Sequence, residues 1–351
     1  MDVITATETP QGGPAADERA RIRALMDLFG PVTLRVAATL RLADYVAAGA
    51  TELADLAAKA DVDTDALRRL MRFLTCRGVF AETAPQTYGL TSTASLLLSD
   101  HPSRLRAFLD LDAAAGRIDV AVAGGLLTTV RTGKPGYDSV FGRPFWDDLA
   151  ADPKLAGTFN QMMAAISHKL GPEIAEHYQW DGVGHVVDVG GGFGVLVHEL
   201  LTRFPDLEAT LVDLPATVAG VSERAAEPAV AGRLTLAGQS FFDPLPAGGD
   251  VYVLSHILHD WNDEDAKRIL RNCADAAGPD GRVLIVEMVI ADDEHRAVAT
   301  EYDLRMAVTF SGARERTLEE FTAIGAAAGL ELRSSRRTPS FHHVMEWAAK
   351  A

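Results

Sequence analysis

The C-terminal half of the chain alternates between short apolar runs and segments with apolar residues at helical spacing. Short runs rich in valine and leucine are typical of buried strands, and the amphipathic segments between them are typical of helices. The alternation predicts an α/β fold, with a parallel sheet covered by helices on both faces. A helix over 318–328 is followed by two apolar runs, 330–334 and 341–347, which predict a closing hairpin at the sheet edge. The five preceding strands are predicted to end at Asp188, Val212, Ala237, Leu254 and Glu287.

The N-terminal segment 17–48 is apolar on more than one helical face. We expect Pro31 to divide it into two helices, because proline interrupts the hydrogen bonding of a helix interior. Helices of this kind must be covered on several sides, either by a second subunit or inside a single chain.

Residues 51–91 have the outline of a winged helix-turn-helix: a short helix, a turn, a second helix and two short strands. In DNA-binding proteins the second helix of this motif enters the major groove. Here that helix carries arginines, but acidic residues surround them, which favours a scaffold or dimerisation role over DNA binding. The arginines are Arg68, Arg69, Arg72 and Arg77, and the acidic residues are Asp55, Asp61, Asp63, Asp65 and Glu82.

Composition narrows the function further. The 351 residues carry a formal net charge of −16, which argues against a nucleic-acid or anionic-membrane partner. Cys76 and Cys273 lie far apart, which fits a reducing compartment and leaves no disulfide framework or cysteine zinc site. No apolar run reaches the roughly 18 to 20 residues of a membrane span, and the polar segment 1–17 lacks a signal-peptide core. We expect a cytoplasmic protein that acts on small molecules, with a disordered tail over 1–17.

A glycine-rich stretch at 186–194 reads as strand, tight turn and helix start. Glycines let the backbone turn sharply and lie close to a ligand at the N-terminus of the helix. Val195 stands three residues after Gly192, where the dinucleotide fingerprint requires a third small residue. The carboxylate of Asp188 would also lie unfavourably close to a pyrophosphate. S-adenosylmethionine (SAM) has no phosphate and carries two cationic groups, so the acid favours SAM over NAD. Asp213, after the second strand, is placed to accept the ribose hydroxyls.

Polar side chains follow the predicted strands, and the carboxyl ends of parallel strands meet at one edge of a sheet. His259 follows the fourth strand, and the acids Glu287 and Glu315 come after the fifth strand and before the last helix. A carboxylate can fix the tautomer of an imidazole and stabilise its cation, so a neutral histidine there can take the proton of a phenol. The alternative for His259 is a structural histidine ahead of the helix that starts at Asn262. We expect His256 to pack or to line the ligand site.

Helices between 102 and 178 supply the remaining candidate positions. The segments 145–149 and 159–166 are rich in aromatic residues and contain the paired Met162 and Met163. Methionine suits the adaptable wall of an apolar pocket, and ordinary core helices fit the same pattern.

With these motifs the chain resembles the dimeric small-molecule O-methyltransferases, which include plant caffeic-acid-type enzymes and bacterial enzymes that tailor aromatic polyketides. The resemblance covers about residues 18–349 and rests on 188–194, on His259-Asp260-Trp261, on Glu287 and on 314–317. The segments 145–149 and 303–306 are most similar to the anthracycline branch, represented by carminomycin 4-O-methyltransferase and aclacinomycin 10-hydroxylase.

The resemblance implies a Rossmann-like class I methyltransferase sheet with an N-terminal, mainly helical winged-helix dimerisation domain. It implies a homodimer, SAM as methyl donor, a small aromatic acceptor, and His259 as the general base supported by Glu287 and Glu315. No metal is expected. Ser240 stands where the family usually has an acid, and Ala156 where the anthracycline enzymes have an arginine. The expected cofactor contacts are Asp188, Gly190, Gly192, Asp213, Ser240, Phe241 and Ser255, and the expected substrate contacts are Met162, Met163, Asp260 and Arg305.

The expected domains are a winged-helix dimerisation domain over 18–105, linking helices that line the substrate pocket over 106–180, and a SAM-binding catalytic domain over 181–351. Three alternatives to O-methylation remain. They are a SAM-binding enzyme that hydroxylates or decarboxylates without methyl transfer, a DNA-binding regulator and an NAD-dependent oxidoreductase.

Overall fold

The computed structural model describes residues 14–221, 225 and 227–350. The chain divides into two compact units, Met1–Asp112 and Ala113–Ala351. The first 13 residues of the predicted disordered tail lie outside the described residues, and the first helix begins at Pro14.

The first unit is mainly helical and contains the predicted winged helix-turn-helix. Helices α4 (Leu53–Ala60) and α5 (Thr64–Cys76) form the helix-turn-helix, and β1 (Phe80–Ala84) pairs with β2 (Thr87–Leu90) antiparallel as the wing. Its core is formed by fully buried side chains that include Leu42, Leu56, Met71 and Phe80. Its elements are α1 (Pro14–Leu25), α2 (Phe29–Thr39), α3 (Leu42–Ala47), α4 (Leu53–Ala60), α5 (Thr64–Cys76), β1 (Phe80–Ala84), β2 (Thr87–Leu90), α6 (Ser92–Ser95) and α7 (Leu105–Leu109).

Three helices rather than two cover residues 17–48, so the predicted division at Pro31 is wrong. Pro31 is the third residue of α2, where its missing N–H group needs no partner within the helix. The breaks fall before Phe29 and after Thr39, and Arg41 between α2 and α3 adopts a left-handed φ of 55°.

An apolar surface on α1, α2 and the turn between them is exposed within the single chain. Leu25 and Phe29 are 83% and 71% exposed, although side chains of this size are usually covered. The helices are therefore not buried inside one chain, which was one of the two expectations. We call this the α1–α2 surface, and its large apolar members are Ile22, Leu25, Met26, Leu28, Phe29 and Val32.

The second unit contains a seven-stranded sheet, whose strands in spatial order are β5 (Leu234–Gly238), β4 (Glu208–Asp213), β3 (His185–Val189), β6 (Val251–Ser255), β7 (Arg282–Met288), β9 (His342–Ala349) and β8 (Leu330–Arg337). The first five strands in this order are parallel, and β9 pairs antiparallel with both β7 and β8. The predicted parallel sheet and edge hairpin are thus confirmed. The elements are α8 (Ala114–Thr132), α9 (Gly136–Phe141), α10 (Phe145–Ala151), α11 (Pro153–His177), β3 (His185–Val189), α12 (Val195–Arg203), β4 (Glu208–Asp213), α13 (Pro215–Ala219), β5 (Leu234–Gly238), β6 (Val251–Ser255), α14 (Asp263–Ala277), β7 (Arg282–Met288), α15 (Arg296–Thr309), α16 (Leu318–Ala327), β8 (Leu330–Arg337) and β9 (His342–Ala349).

Both faces of this sheet are buried, as a parallel sheet requires. Successive residues of a strand point to opposite faces, so Val186 joins the core with α11 and α12 while Val187 joins the core with α14 and α16. Burial of each such side chain contributes about 1.5 to 3 kcal/mol. The two cores fix the strands, and the strands fix the positions of the loops at their carboxyl ends.

Contrary to the expectation that no apolar run is long enough, residues 105–132 could cross a membrane by length and composition alone, and 33% of their most apolar window is buried. The structure forms α7 and α8 from this segment, and α8 packs against α9 and α15. Core helices pass the same test, so the segment is weak evidence for a membrane span.

Candidate active site

The glycine loop joins β3 to α12 through three left-handed residues. Gly190, Gly192 and Gly194 have φ values of 75°, 55° and 70°, which residues with a Cβ atom rarely adopt. Asp213 ties this loop to β4, because its Oδ2 accepts a hydrogen bond from the Gly192 N–H at 2.9 Å. Its Oδ1 accepts one from the Leu214 N–H at 2.7 Å.

Asp188 lies under this loop with an unsatisfied carboxylate. Its side chain is 2% exposed, and Oδ2 has no hydrogen-bond partner among the described residues. Burial, and then repulsion from Asp213, raise the pKa of Asp188 to about 7. A ligand that brings a cationic group would satisfy this oxygen, and SAM carries an ammonium and a sulfonium. The donor set therefore fits SAM and does not fit a pyrophosphate.

The ends of β3, β5 and β6 converge on Gly190. A Cβ atom on Gly190 would lie 2.5 Å from Ile257 Cδ1 and 3.5 Å from Phe241 Cε1, and the φ of 75° also favours glycine there. The Phe241 ring lies edge-on to Trp261, with centroids 5.8 Å apart. Ser240 Oγ accepts a hydrogen bond from the Phe242 N–H at 3.2 Å, which shapes the loop that carries Phe241.

The segment after β6 is held by one carboxylate oxygen. Glu287 Oε1 accepts hydrogen bonds from the N–H groups of Ile257 and Leu258 at 2.9 and 2.8 Å, and a longer one from His259 at 3.4 Å. Ser255 is the last residue of β6, and a short 3-10 helix follows at Leu258–Asp260. Glu287, which is fully buried at the end of β7, thus positions the backbone that carries His259.

His259 is bonded to Glu315 through one ring nitrogen. Its Nδ1 lies 2.9 Å from Glu315 Oε1 and 3.6 Å from Glu287 Oε2, and its Nε2 lies 3.7 Å from Asp260 Oδ1. A carboxylate accepts only from a protonated nitrogen, so Nδ1 carries a hydrogen and Nε2 is the nitrogen left for a substrate. The predicted convergence of His259, Glu287 and Glu315 on one edge of the sheet is observed.

Three carboxylates surround the single imidazole of His259. Burial alone would lower the pKa of His259, but the carboxylates of Glu287, Glu315 and Asp260 outweigh it and raise that pKa well above its usual value. Burial raises the pKa of Asp260 to about 6. The ligand atoms of His259, Glu287 and Glu315 lie within 4.8 Å of one another, a spacing that a cation could also use. The N–H···O geometry at 2.9 Å is that of an imidazole held by a carboxylate.

Arg316 supports the same loop, and its role was not predicted. It is fully buried and donates from Nη1 to the Leu258 carbonyl and from Nη2 to the Trp261 carbonyl, both at 2.8 Å. Its guanidinium also pairs with Asp263 at 2.9 Å. The one signal in the sequence was its place beside Glu315 in the 314–317 motif.

A pair of histidines, His256 and His342, lies beside His259. His256 Nε2 is 2.8 Å from His342 Nε2, and the His256 and His259 rings have centroids 5.5 Å apart. His342 is the first residue of β9, and sequence reasoning did not connect it with the site. The position of β9 beside β7 brings it there.

The expected substrate positions lie on two helices of the same unit. Met162 and Met163 are half-buried in the middle of α11. Arg305, on α15, pairs with Asp119 and, at 3.0 Å, with Glu301. Its charge is therefore already balanced within the protein.

An aromatic cluster lies on neighbouring helices of this unit. Trp146 is stacked on Phe310 with centroids 5.2 Å apart, and Phe145 and Phe159 meet Trp146 edge-on. Trp146 remains 49% exposed. A half-exposed indole on a rigid aromatic base is a suitable surface for a flat ligand.

Comparison with known proteins covers almost the whole chain. A model of the O-methyltransferase domain matches residues 124–331, and a model of the O-methyltransferase dimerisation domain matches residues 25–100. The chain is 44% identical over 317 residues to 2,7-dihydroxy-5-methyl-1-naphthoate 7-O-methyltransferase from Streptomyces carzinostaticus, covering 90% of this chain and 93% of the relative. It is 43% identical over 323 residues to aclacinomycin 10-hydroxylase from Streptomyces purpurascens, covering 91% and 86%.

Solved structures give the same result. The fold matches an O-methyltransferase from neocarzinostatin biosynthesis, crystallised with SAM and 2-hydroxy-5-methyl naphthoic acid, with a TM-score of 0.85 and 41% identity. The match covers 94% of this chain and 98% of that chain.

Proposed function

Because the chain belongs to the SAM-dependent O-methyltransferase family, we propose that it methylates a phenolic hydroxyl of a small aromatic, polyketide-type natural product, with His259 as the general base. The observation that carries the proposal is the bond between His259 Nδ1 and Glu315, which leaves Nε2 free to face a ligand. This arrangement argues against a purely structural role for His259.

In this mechanism the acceptor hydroxyl donates to Nε2 of the neutral imidazole. The hydroxyl proton moves to Nε2, and Glu315 and Glu287 stabilise the resulting imidazolium. When bound, SAM would supply the methyl group from its positively charged sulfur and would leave as neutral S-adenosylhomocysteine when the S–CH3 bond is replaced by an O–CH3 bond. General-base assistance contributes about 10²- to 10⁴-fold, whereas correct placement of the two reactants supplies about 7 to 11 kcal/mol, so placement is the larger effect.

We assign the cofactor contacts to the loops that converge on Gly190. Asp188 would hold a cationic group through its unpaired oxygen, and Gly190 and Gly192 would allow close approach of the backbone. Phe241 would lie against the adenine. Asp213, with Ser240 and Ser255 as further contacts, would reach the ribose, although both of its oxygens already bind backbone N–H groups and would have to accept further bonds.

The acceptor is expected to be flat and aromatic. The S. carzinostaticus relative acts on a dihydroxynaphthoate, and the related crystal structure contains a hydroxynaphthoic acid. The Trp146 cluster and the half-buried Met162 and Met163 suit such a ring system. Asp260 is the expected polar contact nearest to Nε2 of His259, while Arg305 would act through its pair with Asp119.

We further propose that the protein is a cytoplasmic homodimer that does not bind nucleic acid. The exposed α1–α2 surface and the matched dimerisation domain support the dimer. Asp65 pairs with both Arg68 and Arg69 on α5, which weakens the positive surface that DNA would require. Light scattering after gel filtration should give twice the chain mass.

The test of the function uses isotopically labelled SAM and a panel of phenolic polyketides, followed by mass analysis. A gain of one methyl group supports the proposal, whereas a gain of one oxygen atom would favour the hydroxylase alternative, which the 43%-identical relative represents. His259→Asn should retain SAM affinity and lose about 10²- to 10⁴-fold in turnover. His198→Asn, at a surface histidine paired with Glu227, is the matched control. Unchanged turnover in His259→Asn would remove it from the role of base.

A further inference from the structure

His256 is a second imidazole at the site, and the proposed mechanism does not use it. It follows β6 directly and has a φ of 55°, a left-handed conformation that is uncommon outside glycine. Its backbone N–H donates to the Val286 carbonyl at 3.1 Å. Uncommon backbone conformations of this kind cluster at functional sites, because the surrounding structure must hold them.

The hydrogen bonds of the pair determine which nitrogen carries each proton. His342 Nδ1 lies 2.9 Å from the Ser340 carbonyl, which can only accept, so Nδ1 is protonated. In the neutral ring, His342 Nε2 is then a bare acceptor. His256 Nε2, at 2.8 Å, must therefore be the donor, which leaves His256 Nδ1 without a proton.

Both rings are kept neutral by their surroundings. Burial, and then the neighbouring imidazoles, lower the pKa of His256 well below its usual value, and burial lowers the pKa of His342 to about 4. Ser340 is held in turn, because its N–H donates at 3.0 Å to Glu173 Oε2, which its hydroxyl also contacts. His256 therefore donates a hydrogen bond to His342, and His342 donates one to the fixed carbonyl group of Ser340.

The geometry points to His256 as a specificity-determining residue, and we propose that its bare Nδ1 accepts a hydrogen bond from a second donor group on the acceptor ring. The inference rests on the proposed function and names the substrate class: aromatic rings in which a second hydroxyl group neighbours the one that is methylated. Among the described residues, the side-chain hydrogen bonds of His256 are made through Nε2 only. His342 is the positioning residue, because it fixes the tautomer of His256.

An acceptor without the second donor leaves Nδ1 of the half-buried His256 unpaired. One neutral hydrogen bond changes affinity by about 10-fold, and a site built around a substrate hydroxyl discriminates more strongly against its absence. We therefore expect 2,3-dihydroxynaphthalene to bind roughly 10- to 100-fold more tightly than 2-naphthol in the presence of S-adenosylhomocysteine. Affinity measured in this dead-end complex does not depend on methyl transfer.

Two variants of His256 test the roles of its two ring nitrogens separately. His256→Asn places an amide near the position of Nδ1 and tolerates a positive φ, whereas His256→Gln reaches only towards His342. The affinity ratio for the two naphthols should persist in His256→Asn and fall to about 1 in His256→Gln. His198→Gln is the control and should leave the ratio unchanged.

Nitrogen NMR of the ring of His256 gives an independent readout. Nδ1 should be bare and Nε2 protonated in wild type, and His342→Leu should mix the two tautomers while His342→Gln, which retains an acceptor, should preserve them. A wild-type ratio near 1, a ratio unaffected by His256→Gln, or a protonated Nδ1 would overturn the proposal. If the ratio holds and neither naphthol is methylated, the proposed function fails while the specificity role of His256 stands.

Discussion

Replacement of Glu315 by Gln should move the pH dependence of turnover towards acid. The carboxylate lies 2.9 Å from His259 Nδ1 and is 2% exposed, so solvent screens the pair poorly. At an effective dielectric constant of about 20, the gross attraction at this distance is about 6 kcal/mol, and observed shifts for such pairs are about 1 to 3 pKa units after desolvation. Glutamine keeps the hydrogen bond and removes the charge, so the imidazolium is less stable and the pKa of His259 falls.

The measurement is log kcat against pH for methylation of a phenolic acceptor at saturating SAM. In the wild type, turnover should rise with pH through a value above 6.5, because only the neutral imidazole accepts the proton and its pKa is raised. In Glu315→Gln this acid limb should move down by about 1 to 3 pH units, with a lower plateau because the base is weaker. Glu319→Gln makes the same change at an exposed position and should leave the limb in place. An acid limb that stays fixed or moves to higher pH in Glu315→Gln would refute the role of the charge.

Three further changes test other parts of the structure. Asp188→Asn should raise the melting temperature without ligand at pH 8 and change it little at pH 4. The reason is that a buried carboxyl group with a pKa near 7 destabilises the fold by up to about 4 kcal/mol as the pH rises from 3.8 to 7. The same variant should also reduce the thermal shift that SAM produces. Arg316→Met should lower the free energy of unfolding in urea by about 2 to 4 kcal/mol, since it leaves the Leu258 and Trp261 carbonyl groups unpaired and removes the guanidinium that pairs with the half-exposed Asp263. A loss below about 1 kcal/mol would contradict this assignment. Gly325→Ala should cost about 1 to 3 kcal/mol because its Cβ would lie 2.5 Å from the Trp347 ring, whereas Gly157→Ala, with open space around it, should not destabilise.

The regular part of the fold follows from local patterns. The periodicity of apolar residues gives β3, β4, β6 and β7 to within one or two residues, and glycine and charge patterns place the ligand loops at the strand ends. Helix boundaries near proline were less predictable. Pro31 reads as a break in sequence, but its effect depends on its position in the helix, and in the first turn it is harmless.

Side-chain partners across the sheet could not be predicted in the same way. Glu287 was expected to support the imidazole, and it does lie 3.6 Å from Nδ1, but its Oε1 holds the backbone of the loop. Tertiary packing brings Arg316 and His342 to the site, and the spacing of residues along the chain does not predict these contacts. The sequence indicates a hairpin at the edge, whereas the position of β9 between β7 and β8 is a pairing between distant parts of the chain that the local pattern does not specify.

The inner position of β9 also bears on biosynthesis of the protein. The ribosome delivers β7 before the strand that will flank it, so the nascent domain presents a bare, strongly apolar edge until residues 342–349 have emerged. Shortened products that stop before this point would keep that edge open and would also lack one partner of the histidine pair. Premature termination before residue 342 should therefore yield aggregates rather than a weakened enzyme, which makes chaperone supply a practical variable in heterologous expression.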